Sequence, residues 1–371
     1  MKSDSTDIDE SKIVLLQWSN MRRVTAIRRA ILKWHKKIER DLPWKEGRDP
    51  YKIWLSEIIM QQTRVEQGTP YYLRFVEAYP DVSDLAAAEI DEVMKLWQGL
   101  GYYRRAQHMH QAARSIVEKH NGIFPDTYQE ILDLKGVGPY TAAAISSFAF
   151  GLPHAVLDGN VIRVISRLEG ITEPISTNTV QKHLKQTAAK LLDEKAPGDF
   201  NQAMMDFGSL HCTPHRPSCK TCPCQVHCQA FQKNLVSEIP KKKAKKPKRI
   251  RFFYYILVND LNNVWLRKRP SDDIWAGLYE FVLVEKSKKT NWSQILKEVP
   301  YPLELLHVSA ERKHELSHQT IVTAFAETNL LEPTQQSDYL SISRSTLSNY
   351  PYSRVMDWYL SDKAVTLNLQ F

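Results

Sequence analysis

Every cysteine of this 371-residue chain, five in all, falls within the seventeen positions 212–228. Four of them, Cys212, Cys219, Cys222 and Cys228, follow the spacing C-x6-C-x2-C-x5-C. Thiolates gathered so tightly act as one set of soft ligands, because sulfurs converging from a short loop can satisfy a single centre. Structural zinc sites bring two close cysteine pairs, and here only Cys219 and Cys222 make one. The wide gaps on either side suit the separated corners of a cubane, so the spacing favours a 4Fe–4S cluster over a zinc knuckle or a disulfide-tied loop. Cys224 is a fifth thiol inside the loop, and His211, His215 and His227 are near enough in sequence to compete. Spacing alone therefore leaves the choice of four open.

The chain is longer than one hydrophobic core usually serves, which predicts two domains. Its first twenty residues carry acids and hydroxyls without a basic and then apolar segment, so no secretory signal is expected. No apolar run is long enough to span a bilayer, which predicts no membrane partner. Clustered cysteines agree with a reducing cytosol. The net charge of +8 permits a polyanionic partner. Eight basic side chains and no acidic one occupy residues 241–251, KKKAKKPKRIR. That stretch reads as a solvated linker, able to lie along phosphates, and it marks a boundary. Before it the pattern is helical. After it come FFYYILV at 252–258, VWLRKR at 264–269 and IVTAFAE at 321–327, rich in β-branched and aromatic residues, with a helix expected at 292–299.

Three places in the helical part carry chemistry. Asp49-Pro50 is an N-cap followed by proline at the first helical position, and Tyr51, Trp54, Leu55, Ile58 and Ile59 then recur at helical spacing. Glu57 lies on the flank of that stripe, where partial desolvation would raise its pKa, although position alone favours a surface Glu bonded to a neighbouring helix. In Leu134-Lys135-Gly136-Val137-Gly138-Pro139-Tyr140-Thr141 two glycines join two helices, and their backbone amides can point at one phosphate. Asp158 precedes the apolar positions Val161, Val164, Ile165 and Leu168. It reads as a helix N-cap, a place that also suits a carboxylate facing a developing cation.

Together LPWKEGRDPYKIWLSEIIMQQTRVEQGTPYY (42–72), WQGLGYYRRAQ (97–107), LKGVGPYTAAAI (134–145), VLDGNVIRV (156–164), NQAMMDFGSLHC (201–212) and the cysteine loop resemble the adenine DNA glycosylases of the MutY type. The resemblance implies an all-α helix–hairpin–helix domain at 21–232 with its 4Fe–4S loop at 212–228. A flexible segment at 1–20 would precede it, and a linker at 233–251 would lead to an α+β Nudix-like domain at 252–371. That last domain is best matched by Trp275-Ala276-Gly277-Leu278-Tyr279-Glu280-Phe281. It lacks the Glu-rich metal-binding helix of working Nudix hydrolases, so recognition rather than pyrophosphate cleavage is expected of it.

The implied reaction excises adenine mispaired with 8-oxoguanine or guanine in duplex DNA, after flipping the adenine out. Glu57 matches the acid that protonates adenine N7, and Asp158 the carboxylate that stabilises the oxocarbenium-like sugar. Tyr140 and Asn160 match residues that orient them or the water. Asp206 matches a pocket acid touching the flipped adenine. Arg40, Leu42, Trp44, Met60 and Val65 match other substrate or DNA contacts, with Gly136 and Gly138 on phosphate. Gln62 and Tyr102 match side chains that enter the gap in the duplex. The 8-oxoguanine reader, commonly Phe-Ser-His, is Leu316-Ser317-His318 here, and Ile162 replaces a lysine of some members. Endonuclease III-type enzymes carry lysine where Tyr140 stands, so the expected enzyme is monofunctional and leaves an abasic site. The resemblance further implies a monomer in the bacterial cytosol, associated with the nucleoid, and leaves room for a sliding-clamp contact.

Overall fold

The computed structural model describes residues 10–367, apart from 39, 41, 46, 244–246 and 335–337, with the backbone alone at 10–20 and 363–367. Of the segment expected to be flexible, residues 1–9 lie outside this range, and Glu10 already opens a helix. In chain order the helices are α1 Glu10–His35, α2 Pro50–Met60, α3 Val65–Ala78, α4 Val82–Ala87, α5 Ile90–Leu96 and α6 Arg104–His120. They continue with α7 Tyr128–Asp133, α8 Pro139–Phe150, α9 Gly159–Glu169, α10 Asn178–Leu191, α11 Pro197–Asp206 and α12 Gln229–Gln232. None of the described helices is long and apolar enough to cross a membrane. Packing divides the chain into two compact units, Met1–Gln62 with Glu118–Ala244, and Thr63–Val117 with Lys245–Phe371. The sequence reading divides the chain at the basic linker; packing also groups residues 63–117 with the C-terminal segment.

In the first unit the cap at Asp49 forms as its sequence predicts. Its carboxylate accepts from Tyr51 N at 2.9 Å and Lys52 N at 3.3 Å, satisfying amides that a helix start otherwise leaves open. Helix α2 then buries Tyr51, Ile53, Trp54, Leu55, Ile58 and Ile59. A core of Ile27 and Ile31 from α1, Ala143 and Ala144 from α8, Val161, Val164 and Ile165 from α9, and Leu184, Ala203 and Met204 from α10 and α11 holds the unit. Cys224, Cys228 and Ala230 pack into the same core, so the cysteine loop is part of its wall. Burying one such aliphatic side chain contributes about 1.5–3 kcal/mol.

The second unit carries a mixed sheet of β1 Arg249–Asp260, β2 Asn263–Lys268, β3 Tyr279–Glu280, β4 Val282–Lys286, β5 Leu303–Val308, β6 Arg312–Glu315, β7 Gln319–Leu330 and β8 Leu340–Ser343. The central strands β1 and β7 run parallel, and every other pairing is antiparallel. Along β1 the apolar run is unbroken because both faces are covered. Phe253, Tyr255 and Leu257 meet Val355, Met356 and Tyr359 of α14 (Arg354–Leu367). Tyr254, Ile256 and Val258 meet Ile295 of α13 (Trp292–Lys297). The expected strands and the 292–299 helix are thus present, and α13 holds no Asp or Glu.

Candidate active site

Helices α2, α8 and α9 each bring one polar group to the same place in the first unit. Glu57 is half-buried on α2. Burial pushes its pKa up to about 7; a hydrogen bond with Tyr140 works against the rise, and the charge of Asp158 adds to it. Tyr140, in the first turn of α8, is held well above the usual phenol range by burial and by Glu57 and Asp158. Its hydroxyl also lies 3.6 Å from the Met205 sulfur. Asp158 caps α9, accepting from Val161 N at 2.7 Å through one oxygen and from Asn160 Nδ2 at 2.8 Å through the other. The cap that the sequence predicts at Asp158 forms, and the charge of Asp158 acts on Glu57. Such an arrangement offers one carboxyl that keeps its proton near neutrality beside a second carboxylate fixed by two donors, the division of labour of a glycosidic acid and its partner.

Arg163 extends this network. Its guanidinium donates to Asn160 Oδ1 at 2.9 Å, to the Gly208 carbonyl, and to the Cys212 carbonyl at 2.8 Å. Four residues on, Arg167 donates to Cys212 Sγ at 3.4 Å and to the carbonyls of Thr213, Pro214 and Ile239 at 2.7–3.0 Å. Gly208, in the π-helical turn Phe207–His211, permits this approach, since an added Cβ would stand 2.7 Å from Asn160 Cβ. Neither arginine stands out as a site residue in the sequence. Two arginines four apart on a buried helix face, with Val161, Val164, Ile165 and Leu168 around them, are the signal that could have found them.

The thiols sit in one neighbourhood. Cys212, Cys219 and Cys228 are each raised by burial, and each is also shifted by other thiols of the loop. Cys222 is lowered to about 7 by a hydrogen bond with Cys224, whose own thiol is raised by the same contact. Cys224 is fully enclosed. Among the described residues no three His, Cys, Asp or Glu side chains close on one point as a formed metal centre. The donor chemistry fits a soft polynuclear group, with four thiols around the loop and an arginine N–H aimed at one sulfur.

Asp206 stands differently from the sequence expectation. It is fully enclosed, with Arg40 at 2.6 Å, His35 at 3.0 Å, Gln202 at 3.0 Å and Lys45 at 3.6 Å from its oxygens. Burial alone would raise its pKa, but the bonds from His35 and Gln202, the Lys45 charge and the Arg40 bond carry it down to about 2. A cavity of about 930 Å³ opens beside this cage and reaches Glu57; Trp44, Lys45, Ile53, Ser56 and Gln202 line it. Asp206 itself is not among the lining residues, whereas its partners His35, Lys45 and Gln202 are. Gln202 is absent from the expected site and reaches the cavity wall.

The remaining expected residues are dispersed. Leu42 is buried, Met60 ends α2 half-buried, and Gln62 is exposed on a left-handed backbone with φ of 58°. In the hairpin between α7 and α8, Gly136 has φ of 81° and Gly138 is the N-cap of α8, followed by Pro139. In the second unit Val65 opens α3 and Tyr102 stands 49% exposed at φ of 48°. The β6–β7 hairpin tips over Leu316, which packs against the sheet core and leaves Ser317 and His318 exposed, 3.2 Å apart.

Comparison with known proteins follows the same lines. The family model of the HhH-GPD superfamily base excision DNA repair protein matches residues 55–190, and that of the NUDIX domain matches residues 253–362. An adenine DNA glycosylase of Buchnera aphidicola subsp. Baizongia pistaciae is 36% identical over 296 residues, spanning 78% of this chain and 82% of its own. One from Rattus norvegicus is 34% identical over 360 residues, spanning 81% and 70%. Among solved structures, a thermostable thymine-DNA glycosylase superposes with a TM-score of 0.54 at 31% identity, over 57% of this chain and 98% of that one.

Proposed function

The chain belongs to the adenine DNA glycosylases, DNA N-glycosylases of base excision repair, and from that premise we propose that it removes adenine mispaired with 8-oxoguanine or guanine and leaves the strand uncut. The observation that carries this reading is Glu57, a carboxyl that keeps its proton to about pH 7 beside the fixed carboxylate of Asp158. Adenine leaves poorly until N7 is protonated, and Glu57 supplies that proton from the wall of a cavity open to an extruded base. Departure leaves a sugar with cationic character, which Asp158 faces. The same carboxyl, now ionised, draws a proton from the incoming water. Asn160 and Val161 N hold Asp158 in place, and the Tyr140 phenol bonds Glu57.

Strand cleavage would need an amine to form an imine with the opened sugar, and a phenol occupies the position of the lyase lysine. The thiols of Cys212, Cys219, Cys222 and Cys228 would hold a 4Fe–4S cluster, with Cys224 packed behind them. With the loop so held, Lys220 would be available to phosphate. The exposed Ser317 and His318 would read 8-oxoguanine.

The test is incubation of the full chain with duplexes containing A:8-oxoG, A:G, A:C or thymine glycol, followed by alkali. Alkali-dependent breaks opposite 8-oxoguanine and guanine are expected. Breaks at thymine glycol alone, or breaks without alkali, would contradict the reading.

A further inference from the structure

The loop that presents Tyr102 is fastened by the C-terminal segment of the same compact unit. Four of its fastenings run to residues 350–357. Lys95 Nζ donates to the Tyr350 carbonyl at 3.2 Å, and Gln98 Nε2 donates to Asp357 Oδ1 at 2.8 Å. Gln98 Oε1 accepts from Tyr352 N at 3.3 Å, and the Tyr103 hydroxyl donates to the Tyr352 carbonyl at 3.2 Å. The same hydroxyl accepts from Gly99 N at 3.2 Å, so one oxygen ties the loop to itself and to the C-terminal chain. From α3 Tyr71 donates to the Gln98 carbonyl at 2.8 Å, and Trp97 Nε1 and Arg105 of α6 donate to the Gly101 carbonyl at 3.0 and 3.2 Å. Gly99 sits at φ of 98°, and a Cβ there would meet the Tyr71 hydroxyl at 2.5 Å.

These bonds hold an unfavourable conformation. Tyr102 has a left-handed backbone, which is unfavourable for a bulky residue and persists only where the surroundings impose it. Its ring nonetheless stands 49% exposed, with the Arg105 guanidinium 5.7 Å from the ring centroid and 4.9 Å from that of the buried Trp97. An aromatic held outward on a strained backbone, braced from below by a half-buried cation, is set to stack on something external.

We infer that Gln98 and Tyr103 are positioning residues through which the segment 350–357 holds Tyr102 ready to stack within the duplex. This rests on the proposed role of Tyr102 in the mispair complex and adds to it. The C-terminal segment then serves recognition twice, once at Ser317 and His318 and once by bracing a side chain that lies far away in sequence. Deleting residues 240–371 would remove both contributions together, so point variants of the full chain are needed to part them.

The experiment is a double-mutant cycle. Affinity is measured for a duplex with 8-oxoguanine opposite a 2′-fluoro-adenosine that resists cleavage, and for a fully paired duplex. Stacking is read from a 2-aminopurine placed next to the mispair. Tyr102→Ala is expected to weaken mispair binding about tenfold, as the loss of one aromatic–base stack would. Gln98→Ala with Tyr103→Phe is expected to lose several-fold for the mispair and nothing for the paired duplex, with the same fluorescence change. Combined with Tyr102→Ala it should add nothing further. Asp357→Ala should behave like Gln98→Ala, whereas Asp357→Asn, whose amide oxygen can still accept from Gln98, should retain affinity. Thermal melts check folding, and Tyr103→Phe, which alters a single oxygen, serves alone if the pair is unstable. Additive losses in the Tyr102→Ala background would overturn the bracing role and leave the role of Tyr102 standing. A silent Tyr102→Ala would overturn both.

Discussion

Two carboxyls in the first unit, the half-buried Glu57 and the enclosed Asp206, have opposite ionisation. Glu57 ends near pH 7 and Asp206 near pH 2. Burial raises both, so burial does not distinguish them. Asp206 is met by Arg40, His35, Lys45 and the Gln202 amide, all donors able to favour its charged form. Glu57 is met by one neutral phenol and by the charge of Asp158, which opposes a second negative charge. Partners therefore decide which carboxyl is a fixed anion and which a proton carrier. Function tolerates only one arrangement at each place. An ionised group at Glu57 could not donate to a base, and a neutral group at Asp206 would leave the Arg40 and Lys45 cations without an anion between them.

The largest effect is expected where the proton is used. Glu57→Gln should retain duplex binding and slow single-turnover excision by at least about 10²–10⁴-fold, the usual contribution of general acid catalysis. Near-normal rates would remove Glu57 from the role. Asp158→Asn should slow excision by about 10²–10³-fold, since a neutral amide offers the cation no counter-charge. Asparagine caps helices as well as aspartate does, so its melting temperature should stay close to that of the parent. A collapse of the fold in this variant would mean that Asp158 serves only the helix.

Asp206→Asn sharpens the other half of the comparison. With the shared anion gone, denaturant titration should show a loss of about 1–3 kcal/mol, because Arg40 and Lys45 remain partly solvated. The pH dependences differ in sign. Because the folded pKa of Asp206 is depressed, its stabilisation is present above the ordinary carboxylate range and is lost as pH falls through about 2. For Glu57 the raised pKa means that stability is greatest below about 4.5 and declines until pH passes about 7. Glu57→Gln should consequently melt higher than the parent at pH 8 and match it at pH 4. An equal difference at both values would mean that the carboxyl is not held neutral by its surroundings.

How much of this could be read from the residues depends on where each partner lies in the chain. The cap at Asp49, the hairpin of Gly136 and Gly138 and the cap at Asp158 are local, each set within a few residues, and all form as their sequence predicts. The strands at 252–258, 264–269 and 321–327 are equally local, written in aromatic and β-branched runs. The cage of Asp206 is not, since His35, Arg40, Lys45 and Gln202 reach it from the end of α1, the loop after it and α11. No period or spacing links those positions, so the cage around Asp206 is not legible in the sequence. The grouping of residues 63–117 with the C-terminal segment is hidden for the same reason, resting on single hydrogen bonds such as Gln98 to Asp357 across 259 positions.

The most direct measurement of the central claim is the single-turnover excision rate on an A:8-oxoG duplex from pH 5.5 to 9. If Glu57 delivers the proton, the rate should hold below about pH 7 and fall about tenfold per unit above it. A profile that stays level through pH 9, in protein that still binds the duplex, would contradict the account.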